Sequence, residues 1–194
     1  MFSSPDESPW ITDAQLSRRS FLKTTALTAG FFFLHGALTG TARAAARSER
    51  ALAFYNLHTG EDLRTVYWSE GQYHPEALTQ INHILRDHRS GEVAAIDARL
   101  LDLLHELAEA MGSSAHFHVI SGYRSPHTNA VMREHSTGIA RNSMHTQGKA
   151  IDIRLPGHSL SSLHQTAVSL RGGGVGYYPK SDFVHVDTGR VRYW

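Results

Sequence analysis

Two short runs in the C-terminal part of the chain, Ala150-Ile151-Asp152-Ile153-Arg154 and Phe183-Val184-His185-Val186-Asp187, each set an ionisable residue between β-branched neighbours. β-Branched side chains suit extended backbone, and successive side chains on a strand point to opposite faces. Each run therefore reads as a strand, with Ile or Val on one side and Asp152 or His185 on the other. An unpaired carboxylate inside an apolar strand is costly, so Asp152 calls for a cation. Both runs are satisfied by a sheet that turns one face to a hydrophobic core and keeps ionisable groups on the other.

The chain contains no cysteine and 14 histidines. No disulfide can staple the fold, no thiolate can bind a metal, and no lipid can be attached at a cysteine. A zinc site in this chain must use histidine and carboxylate ligands, and a catalytic one needs three of them with a fourth position open to water. His145 precedes Asp152 by seven positions. With 14 His and nine Asp in 194 residues, roughly 0.6 such pairs arise by chance at any fixed spacing, so the pair alone carries little weight. It gains weight from Gly148, which lets the chain turn between the histidine and the strand, and from the apolar setting of Asp152. His185 completes a candidate metal set of His145, Asp152 and His185.

Asp182 stands three residues before His185, at the entrance to its strand, and is placed to act as general base towards an attacking water. Asp187 shares the face of His185 and either hydrogen-bonds that ring or caps the turn into Thr188-Gly189. Ser121-Gly122-Tyr123-Arg124 ends another strand, and Arg124 at the sheet rim either stabilises an oxyanion or serves an ion pair. Nine further histidines, His58 and His88 among them, read as surface or core residues. His127 and His135 follow Arg124 in a loop from which they could touch a substrate.

The first 45 residues form a separate unit. Ser17-Arg18-Arg19-Ser20-Phe21-Leu22-Lys23 leads into an apolar stretch at residues 24–40, and Ala-x-Ala sites end at Ala44 and Ala46. This is the layout of a twin-arginine signal peptide over residues 1–45, directing a folded domain of residues 46–194 to the periplasm. The apolar stretch approaches the length of a membrane anchor, but His35 and several Gly and Thr residues interrupt it. No stable membrane insertion is expected once the signal is removed. Nineteen Lys and Arg against 18 Asp and Glu give no reason to expect a nucleic-acid partner.

In residues 46–194, two apolar runs at 51–57 and 64–68 flank a turn and predict a β-hairpin. Pro75 opens a helix carrying Leu78, Ile81, Ile84 and Leu85 on one face, and Asp97 caps a second with Leu100, Leu101, Leu103, Leu104, Leu107 and Met111. Strands follow at 117–121 and 150–154, a helix at 160–170 stops at residues 171–174, and strands at 175–178 and 183–187 complete the sheet. Residues 125–143 read as a long loop with one helical turn. The class is α+β, with a small, mostly antiparallel sheet and helices packed on one side.

Four segments in order, SGYRS (121–125), SMHTQGKAIDIR (143–154), GGVGYYP (173–179) and FVHVDTG (183–189), resemble the M15-type zinc peptidases, in particular their exported bacterial branch. The runs NLHTGE (56–61) and NHILRDHR (82–89) extend the likeness over nearly all of residues 46–194. The resemblance implies the M15/Hedgehog-like fold, with Zn2+ held by His145, Asp152 and His185. It also implies Asp182 as the acidic base and Arg124 as the arginine that stabilises the transition state. The implied substrate is peptidoglycan, cut at peptide cross-links involving D-Ala or meso-diaminopimelate. Carboxypeptidases that trim stem peptides share these motifs, and a zinc-stabilised wall-binding module without catalysis is a third reading.

Overall fold

In a computed structural model, residues 49–136 and 138–194 are described, and the signal-peptide reading of residues 1–45 lies outside them. The chain runs β1 (Arg50–Asn56), β2 (Asp62–Ser69), β3 (Gln72–Tyr73), α1 (Pro75–Ile84), α2 (Ala98–Ala110), β4 (Phe117–Ser121) and α3 (Pro126–His135). A 3-10 turn (Met144–Gln147) then leads to β5 (Ala150–Arg154), α4 (Leu160–Leu170), β6 (Gly174–Tyr178), β7 (Phe183–Asp187) and β8 (Arg192–Tyr193).

The two ionisable strands pair as their alternation requires. β5 and β7 run antiparallel with Asp152 opposite His185, Ile151 opposite Val186 and Ile153 opposite Val184. The aliphatic members of these pairs are fully buried. They join Leu52, Phe54, Tyr67, Phe117 and Val119 from the neighbouring strands in one core. On that face α1 packs against β2, α2 against β1, and α4 against β6 and β7. Ile81, Leu100, Leu101, Leu104, Leu107 and Leu163 supply the helical side of the core.

The α+β class holds, and the sheet is larger and more mixed than the sequence suggested. Eight strands lie in the order β3-β2-β1-β4-β5-β7-β6-β8. β1 pairs with β4 in parallel, as does β6 with β8, and the other neighbours are antiparallel. The excursion through α1 and α2 between β1 and β4 gives the chain room to return in the same direction. β3 and β8 are two residues long, too short to leave a periodic trace.

The larger correction concerns residues 125–143, where a ten-residue helix, α3, stands in place of one turn. Its start follows ordinary chemistry: the Ser125 hydroxyl accepts from Thr128 N at 3.1 Å, and Pro126 opens the helix. Its buried residues are Thr128 and Asn129. A helix that buries polar side chains shows no apolar stripe, so its period is invisible in hydrophobicity.

Close backbone approaches tie the site-bearing segments together. Gly122, after β4, lies against the Leu85 carbonyl, where an added Cβ would overlap that oxygen. Tyr123 N donates to the same carbonyl at 2.7 Å, and Arg124 N donates to the carbonyl of His145 at 3.2 Å. Gly148 has φ +65°, which releases the 3-10 turn into β5, and it sits on the Ala95 carbonyl. Buried Asp87 accepts from Ser125 N at 2.9 Å and from Arg89 N at 3.0 Å, which joins the turn after α1 to the start of α3.

Two predictions follow from this packing. Gly122→Ala should lower stability by about 1–3 kcal/mol in thermal unfolding, the usual cost of forcing an atom into a packed contact. An unchanged melting curve would mean that Leu85 moves aside freely. The second concerns His88, whose ring stacks on His58 with centroids 3.8 Å apart. Burial, helped by His58 and Arg89, lowers its pKa from 6.5 to about 4. Between these values the unfolded ring binds a proton that the folded ring refuses, so stability falls as pH drops through that window. His88→Gln should flatten the decline of Tm from pH 6.5 to about 4, and coincident profiles would remove His88 as its source.

Candidate metal centre and cleft

On the sheet face opposite the core, His145, Asp152 and His185 converge, all buried. His145 comes from the 3-10 turn, Asp152 from β5 and His185 from β7. Their facing atoms form a tight triangle. His145 Nε2 lies 3.2 Å from His185 Nδ1 and 3.3 Å from Asp152 Oδ1, and His185 Nδ1 lies 2.8 Å from Asp152 Oδ1.

The outer hydrogen bonds say which atoms carry protons. His145 Nδ1 lies 2.8 Å from the Gly122 carbonyl, which can only accept, so Nδ1 donates and Nε2 turns its lone pair inward. His185 Nε2 lies 3.0 Å from Asp187 Oδ2 and donates there in the tautomer that leaves Nδ1 a lone pair facing inward, 2.8 Å from Asp152 Oδ1. Two imidazole lone pairs and a carboxylate oxygen thus face one another at close range. Such a set repels itself unless a cation stands among them. Burial opposes charge on His185, but Asp152 and Asp187 outweigh it and raise the ring's pKa. Burial likewise works against the ionised Asp152, and His145 and His185 outweigh it, holding the carboxyl well below the usual range.

The donor set fits zinc. Tetrahedral ligands at about 2.0–2.1 Å from the ion stand about 3.3 Å apart, and the observed edges run from 2.8 to 3.3 Å. Three nitrogen or oxygen ligands leave one position open, and each ring has an outer partner that fixes its orientation.

Asp187 does both things its position allows. It is completely buried and accepts from His185, from Gly189 N at 2.8 Å and from Gly174 N at 3.2 Å, and Arg192 Nη2 lies 2.7 Å away. Ring support and turn capping are one network.

Arg124 is also buried, and among the described residues it makes no ion pair. Its Nη1 is 3.4 Å from Asn129 Oδ1, its Nη2 is 3.4 Å from Ser121 Oγ, and its Nε has no partner. Burial lowers its pKa while the Asp152 carboxylate pulls the other way. A buried guanidinium with long bonds to neutral groups keeps its donors for something that enters the cleft.

Asp182 is the sequence candidate that does not join the cluster. It sits at φ +53° in the turn before β7, 60% exposed, and its Oδ2 lies 2.6 Å from Arg154 Nη1. Its neighbours Ser181 and Phe183 line the cleft.

That cleft, of about 720 Å³, contains the metal set and Arg124, and α3 contributes Met132 to its wall. Hence the helices are not all on one side of the sheet. Sequence reasoning missed His58, Arg89, Tyr178 and Trp194 as lining residues. The Trp194 ring lies 5.3 Å from that of His185, and its Nε1 donates to Tyr178 Oη at 2.7 Å. The runs containing His58 and Arg89 were visible only as part of the wider motif pattern. His127 and His135 line a second cavity of about 690 Å³, which shares Arg89, Met132 and Ser136 with the cleft.

Comparison with known proteins gives the family of the chain. The M15_2 peptidase family model, described as peptidoglycan L,D-endopeptidase MepK, matches residues 44–194. The peptidoglycan L,D-endopeptidase MepK of Escherichia coli strain K12 is 43% identical over 145 residues, covering 75% of this chain and 80% of that protein. The probable peptidoglycan L,D-endopeptidase MepK of Haemophilus influenzae is 43% identical over 146 residues, covering 75% of this chain and 78% of its own length. With the family pattern running through the whole described domain and the metal-ligand set assembled in its cleft, the chain belongs to the M15_2 peptidase family.

Proposed function

We propose that the protein is a zinc-dependent murein endopeptidase, exported to the periplasm by the twin-arginine route, that hydrolyses peptide cross-links of peptidoglycan. The relatives' names point to an L,D bond. The observation that carries the reading is the inward-facing triangle of His145, Asp152 and His185 beside Arg124, whose Nε has no partner and whose Nη groups make only long bonds to neutral groups. An endopeptidase needs room for chain on both sides of the scissile bond, and a second cavity that adjoins the cleft at Arg89, Met132 and Ser136 supports this over trimming of single stems.

Zinc held by His145, Asp152 and His185 would polarise the scissile carbonyl and acidify the attacking water. Arg124 would hold the negative charge that grows on the carbonyl oxygen as water adds to the carbon. Asp182 would take the proton of that water and pass it to the leaving amine as the C–N bond breaks, after releasing Arg154. Among the described residues Asp152 is the only carboxylate lining the cleft, and it is committed to the metal set. Asp187 is sealed beneath His185 by its other hydrogen bonds. Asp182, flanked by the cleft residues Ser181 and Phe183, is the carboxylate this reading assigns to proton transfer. Asp187 and the Gly122 carbonyl keep the two rings oriented.

Two measurements test this. Purified protein incubated with cross-linked muropeptides should yield shorter products by mass spectrometry, with activity lost on chelation and restored by zinc. Uncut dimers in fully zinc-loaded protein would sink the reading. Asp182→Asn should keep its metal content and fold while kcat drops by about 10²–10⁴. Undiminished turnover in that variant would move the base elsewhere.

A further inference from the structure

The cationic groups of the cleft outnumber its acids. Among the described residues the lining holds Arg89, Arg124 and Arg192 against Asp152 alone, and Asp152 belongs to the metal set. The three arginines are not equivalent. Arg192 is paired with Asp187 at 2.7 Å. Arg124 is buried next to the metal set, with Asn129 and Ser121 at its ends. Arg89 is exposed, and its guanidinium has no hydrogen-bond or ion-pair partner among the described residues.

The backbone that presents Arg89 is firmly held. Asp87 N donates to Glu92 O at 3.0 Å and Gly91 N to Asp87 O at 2.7 Å, closing a turn with Arg89 near its tip. Asp87 Oδ1 accepts from Arg89 N, and Asp87 Oδ2 fastens the turn to Ser125. Next in the chain, His88 stacks flat on His58, with ring planes 9° apart, and His58 in turn contacts the Ile120 carbonyl at 3.0 Å. The turn is therefore pinned to α3, to the β1–β2 loop and to β4, and a free guanidinium stands on it. Arg89 lines both the cleft and the second cavity.

We propose that Arg89 is a specificity-determining residue that binds a free carboxylate of the peptide substrate as it passes from the cleft into the second cavity. This rests on the murein reading, since diaminopimelate and D-amino-acid ends leave carboxylates along a stem peptide. A planar guanidinium on a rigid turn suits a carboxylate, which it can meet with two parallel N–H donors. Arg124, deeper in the cleft, remains available for the carbonyl undergoing attack.

The test uses a synthetic stem peptide containing meso-diaminopimelate, with its carboxylates either free or converted to amides. Calorimetric titration of the purified protein should show the free acid bound about fivefold more tightly, the upper end for a solvent-accessible ion pair. Arg89→Gln should bring the acid-to-amide ratio close to one, and Arg89→Lys should restore part of it. Circular dichroism should show both variants folded, because the side chain has no partner to lose. Retention of the ratio in Arg89→Gln, or no preference in the parent protein, would overturn the assignment. Muropeptide cleavage measured on the same samples separates the two readings. Discrimination that depends on Arg89 in a protein that cuts nothing supports the carboxylate site and sinks the hydrolase reading alone.

Discussion

Asp152 is a buried carboxylate between Ile151 and Ile153, and its accommodation organises the rest of the domain. In register across β5 and β7 it meets His185, and the 3-10 turn before β5 adds His145. Because the outer nitrogens of both rings are tied to acceptors, the inner atoms are all electron-rich and need a cation among them. The core on the other face makes this arrangement rigid: shifting either strand by one residue would place Ile or Val in the site and Asp or His in the core. Metal site and hydrophobic core are thus two sides of one register.

Support for the site comes from outside the sheet. The carbonyl that orients His145 belongs to Gly122, and Gly122 can lie there because it has no Cβ to strike Leu85. The next two residues bond to Leu85 and His145 through their backbone N–H groups, so the same turn that orients a ligand also delivers Arg124. Asp187 plays the matching part for His185, and it fastens β6, the turn after β7 and Arg192 at once. Loss of such a group is felt in packing as well as in chemistry.

The cleft sorts its charges by depth. Arg124 is buried beside the candidate metal set with its Nε unpartnered, Arg192 is paired with Asp187, and Arg89 lies exposed on the cleft wall. Asp182, held by Arg154, is exposed between the cleft residues Ser181 and Phe183. A buried guanidinium interacts more strongly with a nearby charge than an exposed one does, because the dielectric around it is lower.

The sequence by itself determined the strands β5 and β7, the faces of their side chains, the cap at Asp97, the opening of α1 at Pro75, and the three residues that meet as a candidate metal set. These depend on period-two alternation, local hydrogen bonding and the lack of cysteine, all of which operate over a few residues. Tertiary structure alone decided the rest. Helix α3 was hidden because it buries Thr128 and Asn129 rather than an apolar stripe. The parallel pairing of β1 with β4 depends on how far the intervening helices carry the chain. Arg89 and His58 reach the cleft from turns more than 50 residues before His145, Trp194 folds back onto the ring of His185, and Asp182 is drawn to Arg154 by a contact across 28 residues. Local patterns record which face a side chain takes; which distant groups share that face is fixed only when the chain closes on itself.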